Sequence, residues 1–128
     1  HITNAIKLFE SEIGTNILDY SLYADTDYVP ARIVAFIETE ENISKNISNN
    51  LVSIFDKNLA KVNAEHGRML RVGESSKSII YTVKPGTYAK YRENKIKSGI
   101  PTNQIKAVRF IDTEEKLDYF KKAILEKY

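Results

Sequence analysis

Arg32-Ile33-Val34-Ala35-Phe36-Ile37-Glu38 is the stretch on which the reading of this sequence turns. It is continuously apolar from Ile33 to Ile37, the pattern of a central strand covered on both sides. Just before it, Asn16 to Ala24 follows period two, with Leu18, Tyr20 and Leu22 on one face and Ile17, Asp19, Ser21 and Tyr23 on the other. Asp25-Thr26-Asp27 and Pro30 supply turn chemistry between the two runs. An antiparallel pair of strands is therefore expected.

Helical periodicity lies to either side of this pair. Ile2, Ala5, Ile6, Phe9 and Ile13 recur at helical spacing, and Gly14 stands where a left-handed cap would end a helix over residues 2–13. Downstream, Ile43, Ile47, Leu51, Ile54, Phe55, Leu59, Val62 and His66 keep one stripe over about six turns, which predicts a single long core helix whose end is bracketed by Gly67 and Gly73. Ser78 to Val83 reads as a third strand, stopped by Pro85-Gly86. Thr87 is the expected cap of a helix carrying Tyr88, Tyr91 and Ile96 and ending at Gly99. Residues 100–109 contain Pro101 and no periodicity, so a loop is expected there, with at most a short strand at its end. Asp112 with Glu115 makes a capping box before a last helix bearing Leu117, Phe120, Ile124 and Leu125. These elements define an α+β fold: a single mixed β-sheet of three to four strands, including the antiparallel hairpin, packed with about four helices.

With 128 residues, 42% hydrophobic and 28% charged, the chain is long and apolar enough for one domain over residues 1–128, and no linker or internal repeat divides it. Cysteine is absent, which excludes disulfides, thiolate metal sites and a cysteine nucleophile; two histidines are too few for an all-histidine metal centre. No apolar run approaches the roughly 20 residues of a membrane span, and no charged-then-apolar leader opens the sequence, so a cytoplasmic location is expected.

The net charge of +2 conceals an uneven distribution. Residues 1–42 carry a net of −6, whereas residues 84–109 carry a net of +6 from Lys84, Lys90, Arg92, Lys95, Lys97, Lys106 and Arg109 against Glu93. A basic segment of that density attracts phosphate-bearing ligands or nucleic acid, although charge runs more often mark a solvated helix face. Other candidates carry less. His66 has no Ser, Cys or acidic partner at any motif spacing and reads as a helix-end histidine near the last carbonyls. The two Asn-Ile-Ser sequons at Asn42 and Asn46 place their Ile on the core stripe and are read as chance. The carboxylates between residues 10 and 41 show no metal-loop spacing. Most of the eight Tyr and five Phe fall on apolar stripes, which favours core packing over base stacking. What remains is Lys106 on its aperiodic loop, after Thr102-Asn103-Gln104 and before Arg109; a loop lysine alone is ordinarily a surface charge.

Three stretches give that loop a context. Tyr20-Ser21-Leu22-Tyr23-Ala24-Asp25-Thr26 with Val29-Pro30 and the strand Ile33 to Glu38 resembles the first hairpin of the C-terminal domain in the Gretchen Hagen acyl-acid amido synthetases, which include plant enzymes that conjugate auxin and jasmonate to amino acids. Val83-Lys84-Pro85-Gly86-Thr87-Tyr88 is similar to that family's entry into a helix. Ser98-Gly99, then Asn103-Gln104-Ile105-Lys106 and Arg109, resembles its loop of glycine, spacer, asparagine, glutamine, tyrosine, lysine, valine, proline and arginine. Ile105 departs from the usual tyrosine, Val108 from the usual proline, and Ala31-Arg32 from a frequent Gly-His.

The resemblance implies an adenylate-forming ligase that joins a carboxylic acid to an amine through an acyl-AMP. It implies that this chain is the small C-terminal lid domain, inactive alone and partnered by an N-terminal adenylation domain of the same polypeptide that holds most of the ATP and magnesium contacts. The family role carried to Lys106 is contact with the nucleotide phosphates, with Asn103, Gln104 and Arg109 as further nucleotide contacts. A small-molecule acyl acid and an amine are the implied substrates, in a monomer without nucleic-acid or membrane partners. The alternative class is a free-standing nucleotide- or nucleic-acid-binding module, against which Ser78 to Val83 lacks the aromatic and glycine pattern of a stacking strand. A regulatory small-molecule domain has only the α+β order in its favour.

Overall fold

Ile2–Ile13 form helix α1, with Ala5, Ile6, Phe9 and Ile13 buried along one stripe; Gly14 ends it at a φ of 75°, where a Cβ would be strained. The computed structural model describes residues 2–128, and His1 lies outside the described residues. Strands β1 (Ile17–Asp25) and β2 (Arg32–Thr39) pair antiparallel, Tyr20 opposite Ile37 and Leu22 opposite Ala35. Val34 through Glu38 are all buried, as the continuous apolar run requires. Alternate side chains leave a strand on opposite faces, and so Ala35 and Ile37 join one apolar cluster while Val34 and Phe36 join another.

The stripe expected as one long helix is divided. Lys45–Ser48 form α2, Leu51–Val62 form α3 and Ala64–Arg71 form α4. The chain breaks at Asn63, whose backbone is extended and whose side chain accepts a hydrogen bond from His66 N. An asparagine leaves the apolar periodicity untouched, yet its amide oxygen competes for a backbone N–H and starts a new helix. Gly67 lies inside α4, not at a helix end, and a Cβ there would stand 2.9 Å from the Ala60 Cβ on α3.

After this crossover β3 (Ile79–Val83) runs parallel to β2, with Tyr81 opposite Phe36. Helix α5 spans Thr87–Lys97, a 3-10 turn covers Thr102–Gln104, and α6 spans Glu114–Lys122. The expected capping box is replaced: Thr113 accepts from Lys116 N, while Asp112 binds the Lys116 ammonium at 2.8 Å. Ile124 and Leu125, expected on the last helix, lie in a fourth strand, β4 (Ile124–Lys127), antiparallel to β3. Their spacing from Leu117 and Phe120 fits a helical stripe, but Lys84 N–H donates to Ala123 O and Tyr128 N–H to Ile80 O, so the free edge of β3 takes these residues.

The sheet order β1-β2-β3-β4 makes one mixed sheet, so the expected α+β class stands, with four strands and six α-helices among the described residues. On one face, α1 and α3 bury Phe9, Leu51, Phe55 and Leu59 against Leu22, Ala35, Ile37 and Ile80. On the other, α5 and α6 close around Phe120, whose ring centre is 5.0 Å from that of Tyr88, 5.2 Å from Tyr119 and 5.8 Å from Tyr91. The aromatics are largely core, as expected.

Gly67→Ala tests the α3–α4 contact. Overpacking of about 1–3 kcal/mol opposes a helix-propensity gain of about 1 kcal/mol, so thermal melts should show a net loss, relieved when Ala60→Gly is added. A Gly67→Ala protein more stable than the parent would show that α4 does not dock as described.

Candidate functional site

Residues 100–111 leave α5 at Gly99, whose φ is 96°, and return along the outer edge of β1. Leu22 N–H donates to Arg109 O at 2.8 Å, and Ile111 N–H donates to Leu22 O at 2.8 Å. These two bonds make a single parallel bridge between Leu22 and Phe110, the short strand-like end expected of this loop. Beside them, Ser21 donates to Val108 O and accepts from the Tyr88 hydroxyl at 2.9 Å, which also lies 3.3 Å from Phe36 O. The alternation puts Ser21 on the face of β1 opposite Tyr20 and Leu22, and it is fully buried there, because that face is covered by α5 and the returning loop.

The loop is fixed from Val108 onward, and Lys106 stands two residues before the first tether. It is exposed and belongs to none of the ion pairs found among the described residues. With Gln104, Arg109, Lys95 and Phe110 it lines a shallow hollow of about 420 Å³. Asn103 is exposed on the 3-10 turn and is not among the residues lining that hollow. Arg109 is partly committed to structure: its Nη1 is paired with Asp19 and lies 3.3 Å from Tyr20 O, and the guanidinium sits 4.3 Å over the Tyr20 ring. Its side chain remains 41% exposed and lines the hollow, so part of the fork stays open to a ligand.

A family model described as the GH3 family C-terminal domain matches residues 1–115, from α1 to the start of α6. The chain belongs to the GH3 family. Among the solved structures that share its fold are a GH3.15 acyl acid amido synthetase, at a TM-score of 0.79 with 19% identity, and AtGH3.15 acyl acid amido synthetase in complex with 2,4-DB, at 0.78 with 18%. Each comparison covers 99% of this chain and 23% of the other, so the chain spans about a quarter of the length of these structures. None of the curated proteins matches it.

Two features of this GH3 domain were not read from the sequence. The first is Glu38, buried at the end of β2, whose carboxylate accepts from Gly86 N–H and Tyr88 N–H at 3.1 Å each. It takes the capping role expected of Thr87. Gly86, at a φ of 86°, is the N-cap residue, and Thr87 lies inside the helix with its hydroxyl donating to Lys84 O. The 48-residue separation of Glu38 from Gly86 hides the pair from any local motif. The second is His66, which does have an acidic partner. It sits in the first turn of α4, its Nε2 is 3.3 Å from Asp56 Oδ1, and Asp56 also accepts from Ser78 N–H and Oγ–H. The carboxylate stands between Ser78 and His66, so the imidazole does not reach the hydroxyl, and Ser78 is 2% exposed. This is a structural clasp joining α3, α4 and the residue that precedes β3, with no activated nucleophile.

Burial pushes the Tyr88 phenol well above its ordinary value of 10.0, against the hydrogen bond with Ser21. The folded chain therefore holds this proton more tightly than the unfolded chain, so its contribution to stability is complete below about pH 10 and is lost as pH rises beyond that. Tyr88→Phe should cost about 1 kcal/mol near neutral pH, and the gap to the parent should close in melts recorded above pH 10. A gap independent of pH would overturn this account of Tyr88.

Proposed function

We propose that the chain is the small, mobile C-terminal domain of an ATP-dependent acyl-acid amido synthetase. In the first half-reaction a carboxylate oxygen attacks the α-phosphorus of ATP, forming acyl-AMP and releasing pyrophosphate. In the second an amine attacks the acyl carbon, loses a proton and expels AMP, leaving an amide. The observation that supports this reading best is a free ammonium, Lys106, presented two residues from a tethered point on a GH3 C-terminal domain. A compact cation with three donors suits charge that accumulates on departing pyrophosphate. Gln104 and Asn103 offer neutral amides on the same loop, and the open part of Arg109 adds a second cation.

A larger N-terminal domain of the same polypeptide is the proposed partner and the holder of most ATP contacts. Magnesium, in this proposal, is held with the ATP phosphates in that larger domain. No helix among the described residues is long and apolar enough to cross a membrane. A cytoplasmic, monomeric enzyme is part of the proposal. The tethers to β1 let rotation of the domain carry Lys106 into and out of the site as a unit.

In the full-length enzyme, Lys106→Ala should slow adenylation roughly ten- to a thousandfold, about 1.4–4 kcal/mol, as expected for one charged transition-state contact. Amide formation from supplied acyl-AMP should change much less, because no pyrophosphate leaves in that step, and Lys106→Arg should restore only part of the rate. ATP–pyrophosphate exchange and amide release from acyl-AMP measure the two steps separately. Equal loss in both, or in neither, would remove Lys106 from the proposed role.

A further inference from the structure

Beside the Lys106 hollow, α5 and α6 diverge around a larger cleft of about 890 Å³, within the ~300–1,000 Å³ range of small-molecule sites. Lys84, Lys90 and Lys95 line it from the α5 side and Lys116 and Lys122 from the α6 side, while Glu115 is the one carboxylate on its wall. Lys116 is held by Asp112 at 2.8 Å. The other four lysines enter none of the ion pairs found among the described residues. Unpaired ammoniums around one concavity raise each other's energy, and a low-dielectric wall focuses their field into the cleft.

We propose that this cleft binds an oligophosphate, an anion carrying two or more linked phosphates. Ammoniums bind phosphate oxygens as point charges, so what the site reads is charge density and span. A single phosphate meets little of this charge, whereas a linked chain offers charge to lysines on both the α5 and the α6 side of the cleft. The rings on the cleft wall argue against a single-stranded nucleic acid, whose bases need open aromatic faces. Tyr91 and Tyr119 pack edge to face on each other at 5.3 Å, and both pack on Phe120, so those faces are already used. The site stands apart from the proposed adenylation role: Lys106 is not on its wall, and its charges would be arranged as they are if Lys106 had no function.

Calorimetric titration of the 128-residue chain with orthophosphate, pyrophosphate, tripolyphosphate and ATP at low salt tests the proposal. Tripolyphosphate should bind at least about tenfold more tightly than orthophosphate, with affinity falling as salt rises. The double reversal Lys90→Glu with Lys95→Glu on α5 should weaken tripolyphosphate about tenfold or more, whereas Lys97→Glu on α5 with Lys121→Glu on α6, the same charge change outside the cleft, should alter it less than about threefold. Lys106→Ala should leave it within that same margin, which keeps this outcome separate from the adenylation assay. ATP binding more tightly than tripolyphosphate would identify a nucleotide as the source of the phosphates, and the reverse order a free oligophosphate; either supports the site. Equal loss in both double variants, no preference over orthophosphate, or tighter binding of an RNA oligomer than of tripolyphosphate would overturn it. All four reversed lysines lie on helix surfaces, and a cooperative melt of each variant confirms that it is folded.

Discussion

Water reaches neither face of β2 between Val34 and Glu38, and that constraint arranges the domain. A strand with Ala35 and Ile37 on one side and Val34 and Phe36 on the other is stable only between two helical layers, so α1 with α3 and α5 with α6 are both required. The last buried position of the same strand is a carboxylate, Glu38, and a buried carboxylate without partners costs several kcal/mol. Two N–H groups at the start of α5 answer it, at the helix end whose dipole favours negative charge. The arrangement that relieves Glu38 also fixes where α5 begins.

Tyr88 carries that fixed point across to the candidate site. Its backbone N–H is bound to Glu38 on β2, and its hydroxyl is bound to Ser21 on β1, which in turn holds Val108 O. One residue is thus tied to both strands of the hairpin, and a continuous run of hydrogen bonds leads from the centre of the sheet to the loop. Arg109 adds a second tether through Asp19 and the Tyr20 ring. A loop so anchored is an extension of the sheet edge, and the freedom left to Lys106 lies mainly in its own long side chain.

The parts of this fold legible in the sequence are those whose cause is local. The stripe of α1, the extent of α5, the alternation of β1, the apolar run of β2 and the glycines at positions 14 and 99 each signal through near neighbours. The misreadings have distant causes. Asn63 breaks the long stripe without disturbing its period, and Ile124 and Leu125 continue a helical spacing while an open edge of β3 draws them into a strand. Nothing near Ser21 in sequence announces its cover by a segment 87 residues away, and Asp56 and His66 meet only because the helix between them is broken. The candidate loop was found through its motif, but the motif did not disclose that Arg109 serves as an anchor or that Asn103 lies outside the hollow.

The fold also gives meaning to the charge asymmetry of the sequence. The acidic first third contributes α1, on one face of the sheet, and the basic segment contributes α5, on the other. Several of the early acids are neutralised where they stand, Asp19 by Arg109, Asp25 by Arg32 and Glu12 by Lys57. The lysines around the α5–α6 cleft have far fewer such partners, and Lys106 opens onto the neighbouring hollow. At physiological salt, fields from exposed charges fade over about 8 Å, so isolated lysines on a convex surface act singly. Around a concave wall their fields add in the same enclosed space, which is why the electrostatic character of this domain resides in the α5–α6 side and not in its net charge of +2.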